Sequence, residues 1–272
     1  MARIQWGLQE DRVFEGGVDQ GVLYLPDGSG VGWNGLISVD EKNNNSVEPV
    51  YFDGVKFNDI VTVGEYAGTL RAFTYPDEFY RFDGLHEEQD GVYLTHQTPE
   101  RFGLSYRSKI GNDLEGFEHG YKIHVVYNLT AKAGNISRKT LSLDDVEPLE
   151  FQWEISGIPE DAIGNRPTCH VIFDSSDIDP WLLRDIEDIL YGDEDSEPRL
   201  PDLSALIQFI RKWDRLIITD NADGTWTADA KIDSDIVMTS ETEFLITADN
   251  VVYLDEYTYE ISSSDKNEED IG

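Results

Sequence analysis

Two stretches alternate between apolar and polar residues cleanly enough to set the fold class. In Tyr121-Lys122-Ile123-His124-Val125-Val126-Tyr127-Asn128-Leu129, Tyr121, Ile123, Val125 and Tyr127 share one face of a strand, with Lys122, His124 and Val126 on the other. Residues 149–156 repeat the pattern, and 102–110 begin with it. Shorter strand-like runs occupy 12–15, 21–26, 31–39, 49–57, 61–63 and 68–76. They are punctuated by Asp27-Gly28-Ser29-Gly30 and by Asp53-Gly54, a dipeptide that tolerates the positive φ of a tight hairpin turn. The polar, Asn-rich residues 40–49 read as a loop or hairpin tip, 77–89 as a loop, and 111–120 as a turn-rich loop.

Helical periodicity enters only twice. Asp179 is a good N-cap, Pro180 suits the first helical position, and Gly192 stands beyond the end of 181–191. Leu182, Leu183, Ile186, Ile189 and Leu190 form the apolar stripe of this helix. A second helix over 203–213, with Asp202 as a candidate cap, turns Leu206, Ile207 and Ile210 to one side. Strand signals resume at 215–219, 225–228, 244–247, 251–254 and 257–261. The chain therefore divides into a body over 1–214, a small β appendage over 215–262 and an acidic tail over 263–272.

Composition narrows the function. Phe, Trp and Tyr make up 11% of the 272 residues, too many for a disordered acidic chain. The formal net charge of −34 repels nucleic acid and anionic membrane, since phosphate binding needs Lys and Arg. No apolar run suits a signal peptide or a membrane span, so a soluble protein made in a cytoplasm is expected. The single cysteine, Cys169, cannot form an internal disulfide and sits in an apolar run as a buried small hydrophobe.

No chemical motif rises above chance. His86, His96, His119, His124 and His170 are scattered. His119 and His124 are the closest pair, but five positions apart on a strand they face opposite ways, so no metal site is expected from them. Asp174, Asp177 and Asp179 superficially suggest calcium, but no EF-type glycine and closing glutamate follow; the run from Asp220 to Gly224 also looks calcium-like, but Asp223-Gly224 is more simply a hairpin turn, because Gly tolerates positive φ. No nucleophile elbow, phosphate loop or zincin motif is present. Neither an enzyme nor a cofactor is expected, and an acidic hydrolase has only its abundant carboxylates in its favour.

Several blocks together resemble the major tail proteins, the tail tube proteins, of siphophages. They are residues 12–24, Gly32-Trp33-Asn34-Gly35-Leu36, Ala72-Phe73-Thr74-Tyr75-Pro76-Asp77-Glu78-Phe79, Phe102-Gly103-Leu104-Ser105-Tyr106-Arg107, Ile110-Gly111-Asn112-Asp113, 119–128, Phe151-Gln152-Trp153-Glu154-Ile155-Ser156 and 182–192. They keep their order across about residues 1–210. The resemblance implies a mainly β fold, a β-sandwich or rolled sheet with one or two flanking short helices, and the appendage outside it. It implies a structural virion protein of the phage tail, assembled in the bacterial host cytoplasm. Six copies would form a ring, and the rings would stack into a tube. Genome DNA would pass through its lumen without tight binding. Implied partners are further copies of the chain and other tail proteins such as the tape measure, terminator and distal tail proteins, with no membrane. A hairpin commonly reaches the next ring in such proteins, and Asn43, Asn44, Asn45, Val47, Val50 and Tyr51 are the candidates here.

Two alternatives remain open from the sequence. One is a distal tail or baseplate ring protein of the same tail. The other is a glycan-binding β module displaying Trp226, Tyr253, Tyr257 and Tyr259 in the appendage.

Overall fold

The computed structural model describes residues 12–42, 44–62, 64–138, 140 and 148–213, and beyond these six strand segments between 216 and 262. Contacts divide the chain into two compact units, Met1–Ser204 and Ala205–Gly272. The first holds twelve strands: β1 (Phe14–Tyr24), β2 (Gly30–Trp33), β3 (Leu36–Lys42), β4 (Ser46–Phe52), β5 (Val55–Thr62), β6 (Ala67–Ala72), β7 (His86–Gln89), β8 (Val92–Leu94), β9 (Phe102–Asn112), β10 (Gly116–Ala133), β11 (Phe151–Gly157) and β12 (His170–Asp174). Helix α1 (Pro180–Tyr191) follows, and α2 (Leu203–Lys212) crosses the division between the units.

An antiparallel sheet in the order β2-β1-β9-β10-β11-β6-β3 organises the first unit, with β12 also pairing with β10. Its two terminal strands, β2 and β3, are joined by only Asn34 and Gly35. A chain segment that short spans on the order of 10 Å, so the ends of the sheet must meet and the sheet rolls up on itself. Gly35 makes the link with φ +85°, and a side chain there would collide with Thr74. The approach continues along the seam, where a Cβ at Gly21 of β1 would lie 3.1 Å from Leu36 Cδ2 of β3. The mainly β fold expected from the alternation is therefore present, in its rolled form.

β10 shows how the pattern is used. One edge pairs with β9; the other pairs with β12 over Lys122–Val126 and then with β11 over Leu129–Ala133. The switch occurs at Tyr127 and Asn128, where Asn128 takes φ 53° and Tyr127 N–H donates to the Cys169 carbonyl at 2.7 Å. Both faces are covered, so His124, Val125, Val126 and Tyr127 are all buried. Cys169 is buried, as expected.

The inside of the roll differs at its two ends. At one, Phe79, on a 3-10 turn over Asp77–Arg81, inserts among Trp33, Phe102 and Trp153, with ring centroids 4.7, 5.4 and 5.0 Å away. Trp33 Nε1 donates to the Thr74 carbonyl and Trp153 Nε1 to Asp83 Oδ1, so both indoles are satisfied in the core. At the other end, Glu15, Glu41, Tyr106, Ser108, His124 and His170 replace the apolar filling.

Helix α1 lies over the outer face, where Tyr24 Oη donates to the Leu190 carbonyl and Tyr121 Oη to Glu187. It starts and stops as its sequence predicts: Asp179 Oδ1 accepts from Trp181 N–H, Pro180 opens the helix, and Gly192 ends it at φ 80°. In the second unit, β13 (Leu216–Asp220), β14 (Trp226–Ala230), β17 (Asn250–Tyr253) and β18 (Thr258–Ser262) form a sheet in the order β14-β13-β18-β17. β15 (Asp235–Met238) pairs with β16 (Phe244–Thr247).

Three loop expectations need correction. Residues 40–49 are not a loop: β3 runs to Lys42 and β4 begins at Ser46, because each finds a ladder partner. Residues 77–89 contain the 3-10 turn and β7. Within 111–120 only Asp113, Leu114 and Glu115 form the connection, because Asn112 Oδ1 accepts from the backbone N–H of Leu114 and Glu115 and holds the turn tight.

Candidate functional site: a projecting hairpin and the polar cluster at its root

Between β3 and β6 the chain leaves the rolled sheet as the hairpin β4–β5, which pairs only with itself. Asp53 and Gly54 form its tip with φ 48° and 76°, the double positive φ of a type I′ turn whose twist matches the strands. Every described residue of both strands is exposed. The register places Val47 and Val61 on one face and Val50 and Ile60 on the other. Tyr51, Phe52, Val55 and Phe57 crowd the distal half, exposed by 64, 69, 70 and 76%. A two-stranded ribbon is marginal in water by itself, and one apolar on both sides is built to be covered on both.

The predicted hairpin residues distribute along this element. Val47, Val50 and Tyr51 lie on β4. Asn44 and Asn45 stand at the root, not the tip: Asn44 Nδ2 donates to the Glu65 carbonyl at 3.1 Å, and Gly64 N–H donates to Asn45 Oδ1 at 2.9 Å. Asn43 lies outside the described residues. The turn expected among the asparagines is at Asp53-Gly54 because Asx side chains can clamp a strand exit as readily as they cap a turn.

Below the root lies the polar end of the roll. Antiparallel register sets His124 directly opposite Tyr106 on β9 and diagonal to His170 on β12. Tyr106 and His124 stack at 4.7 Å with an interplanar angle of 3°, and His170 stacks next at 5.3 Å. Tyr66 meets His170 edge to face at 5.0 Å, and its buried hydroxyl lacks a hydrogen bond of good geometry. Glu41, on the last turn of the pleat before the hairpin, accepts from Tyr106 Oη and lies 3.5 Å from His124 Nδ1. Burial holds both imidazoles below their ordinary pKa, with the Glu41 carboxylate opposing the shift in each case. On the same face Lys122 bridges Glu15 at 2.8 Å and Asp174 at 3.7 Å. Burial works against the Glu15 charge, but hydrogen bonds from Lys122 and Ser108 outweigh it and its carboxyl lies below the usual range.

The sequence did not anticipate this cluster. His124 was considered beside His119, but His119 Nδ1 contacts Glu115 and Asn112 at the β9–β10 turn. Asp174 accepts from Ser176 N–H and pairs with Lys122, and Asp179 caps α1, which accounts for the acidic run around them. Residues 221–225 lie outside the described residues. Smaller exposed apolar groups accompany the hairpin: Phe14 against Phe117, with centroids 5.2 Å apart, and Val92, Tyr93 and Leu94 on β8. No helix among the described residues is long and apolar enough to cross a membrane.

No family model matches the sequence, and no curated protein matches it. Among solved structures, the chain is similar to the tube-terminating cap of an anti-feeding prophage, at 13% identity and a TM-score of 0.30, over 64% of this chain and 96% of that one. It is also similar to a chain of the sheath–tube complex of the PVC extracellular contractile injection system in its extended state, at 13% identity and 0.29, over 63% and 94%. A third similarity is to a chain of the anti-feeding prophage baseplate, at 8% identity and 0.29, over 64% and 97%.

Proposed function

We propose that this chain is a structural protein of a phage tail or phage-tail-like particle, not an enzyme, and that it assembles with its own copies into stacked rings forming the tail tube. The observation that carries this reading is the β4–β5 hairpin. It is a fully exposed ribbon with apolar residues on both faces, projecting from a rolled antiparallel sheet whose sequence blocks resemble tail tube proteins. Covering a Val, Tyr or Phe side chain contributes about 1.5–3 kcal/mol each, so the distal half alone offers a large drive toward a neighbouring subunit. Overlays as loose as those on the injection-system chains add nothing to the argument.

The hairpin reaches the next ring, and the exposed groups around Phe14 and Tyr93 meet neighbours within a ring. A lumen lined by copies of so acidic a chain lets DNA slide, because a net charge of −34 per copy repels the phosphates. The same charge opposes assembly, so added salt speeds it by screening the repulsion beyond a Debye length of about 8 Å at physiological ionic strength. Negative-stain electron microscopy of the purified full chain at low and moderate salt tests the reading. Long hollow tubes with sixfold end views are expected. Single rings would move the chain to a distal tail or baseplate position, and monomers at every salt and concentration would overturn self-assembly.

A further inference from the structure

The polar end of the roll contains one arrangement that a tube subunit does not need. Glu41, His124 and His170 bring one carboxylate oxygen and two imidazole nitrogens within 4.8 Å of one another. His124 Nδ1 lies 3.2 Å from His170 Nε2 and 3.5 Å from Glu41 Oε1. A tetrahedral zinc ion with bonds of about 2.0–2.2 Å separates its ligand atoms by about 3.3–3.6 Å. The two spacings match the edges of such a site, and the third, between Glu41 and His170, lies within the same 4.8 Å.

The surrounding groups prepare these atoms as ligands. Ser108 has a single hydroxyl proton, and it donates that proton to Glu15 Oε1 at 2.5 Å. Toward His124 Nε2, 3.1 Å away, Ser108 can then only accept. Nε2 must carry the proton, which leaves the Nδ1 lone pair facing His170 and Glu41. Tyr106 Oη in turn donates to Glu41 Oε1 and fixes the carboxylate. Hydrogen-bonded outer partners of this kind orient metal-binding histidines and carboxylates. Burial disfavours the charged form of both imidazoles, and only a neutral imidazole ligates a metal. Glu41 is exposed, so solvent reaches the site on its side and leaves a position open for water.

We propose that Glu41, His124 and His170 form a binding site for one divalent transition metal of the zinc type, which pins the root of the β4–β5 hairpin to the rolled sheet. Two imidazoles with one carboxylate suit zinc, cobalt or nickel better than magnesium or calcium, which prefer oxygen ligands. Glu41 belongs to β3, His124 to β10 and His170 to β12, strands that are not neighbours of β3 in the sheet. The ion would therefore cross-link β3 to β10 and β12 one residue before the described end of β3.

The test uses the full chain, stripped with a chelator and desalted, at pH 7 with excess magnesium to occupy surface carboxylates. Titration with cobalt(II) is expected to raise a visible absorption band that saturates at one equivalent and is bleached by zinc. Glu41→Gln and His170→Gln should each weaken binding at least about tenfold. A variant carrying His86→Gln, His96→Gln and His119→Gln should bind as the parent does. A second readout follows the hairpin: zinc should slow proteolysis within residues 44–65 of the parent and leave Glu41→Gln unchanged. Absence of a saturating one-equivalent band would overturn the site, as would an unaltered band in both ligand variants. Binding without protection of 44–65 would overturn the pinning. The cobalt readout does not depend on whether the chain forms rings, and the proteolysis compares metal-free and zinc-loaded protein at the same state of assembly, checked by sedimentation.

Discussion

The two ends of the rolled sheet solve the same closure problem with opposite chemistry. At the aromatic end, Phe79 reaches in from a 3-10 turn and is fully buried against Trp33, Phe102 and Trp153. At the hairpin end, stacked Tyr106, His124 and His170 continue the same face, but ion pairs and hydrogen bonds surround them. Apolar packing is insensitive to pH and ions and suits a part that must stay shut. A polar plug costs desolvation yet answers to protons, metals and partners, and it stands at the root of the exposed β4–β5 hairpin. Stability and responsiveness are thus assigned to opposite ends of one core.

The largest expected effect falls on the aromatic end. Phe79→Ala should lower unfolding free energy by about 3–5 kcal/mol, read as a shifted urea midpoint, whereas Glu41→Gln in the metal-free protein should change it by under about 1 kcal/mol. Equal losses would dissolve the distinction between the ends. Next come two acid groups of opposite sign. Hydrogen bonding from Arg107 holds the Asp19 carboxyl below its usual range, so its stabilisation is present above an unfolded pKa of about 3.9 and is lost as pH falls through the folded value. Burial near Trp153 raises Asp83, against the indole hydrogen bond, so its contribution diminishes as pH rises through the window above that unfolded value. Asp19→Asn should therefore destabilise and Asp83→Asn should stabilise at pH 7, with both differences shrinking as pH falls through the folded values; thermal melts at descending pH decide it. The smallest effect on stability belongs to the hairpin. Tyr51→Glu or Phe57→Glu should leave the melting free energy within about 0.5 kcal/mol while abolishing large assemblies in sedimentation. A destabilised monomer would mean that the hairpin serves the fold rather than the neighbour.

Local order was legible from the sequence wherever one residue type dictates backbone geometry. Asp179, Pro180 and Gly192 fixed the limits of α1, and Asp53-Gly54 marked a real hairpin turn. The alternation over 121–129 identified the centre of β10 and the faces on which its residues lie. What could not be read was which strands meet. His124 and His170 are 46 residues apart and become neighbours only through the β10–β12 register. Glu41 joins them only because the sheet rolls. The available signal was that Val126 and His124 share a strand face while His170 opens an apolar run; without the register it could not become a contact. The Asn-rich segment misled for a related reason, since asparagine satisfies a strand exit as well as a turn, and only the pairing of β4 with β5 decides between them.

The two-residue link between β2 and β3 has a consequence for how the protein is made. It places early strands at the seam, yet β1 has its longer ladder with β9, whose residues follow Tyr24 by roughly 80 positions. At a synthesis rate of about 5–20 residues per second, β1 waits several seconds on the ribosome for its partner. During that interval Leu23, Tyr24 and Trp33, all buried in the finished fold, face water with the exposed apolar ribbon of β4 and β5 already emerging behind them. The dense negative charge of the chain acts in that interval: nascent copies on neighbouring ribosomes repel one another until each has rolled its own sheet shut.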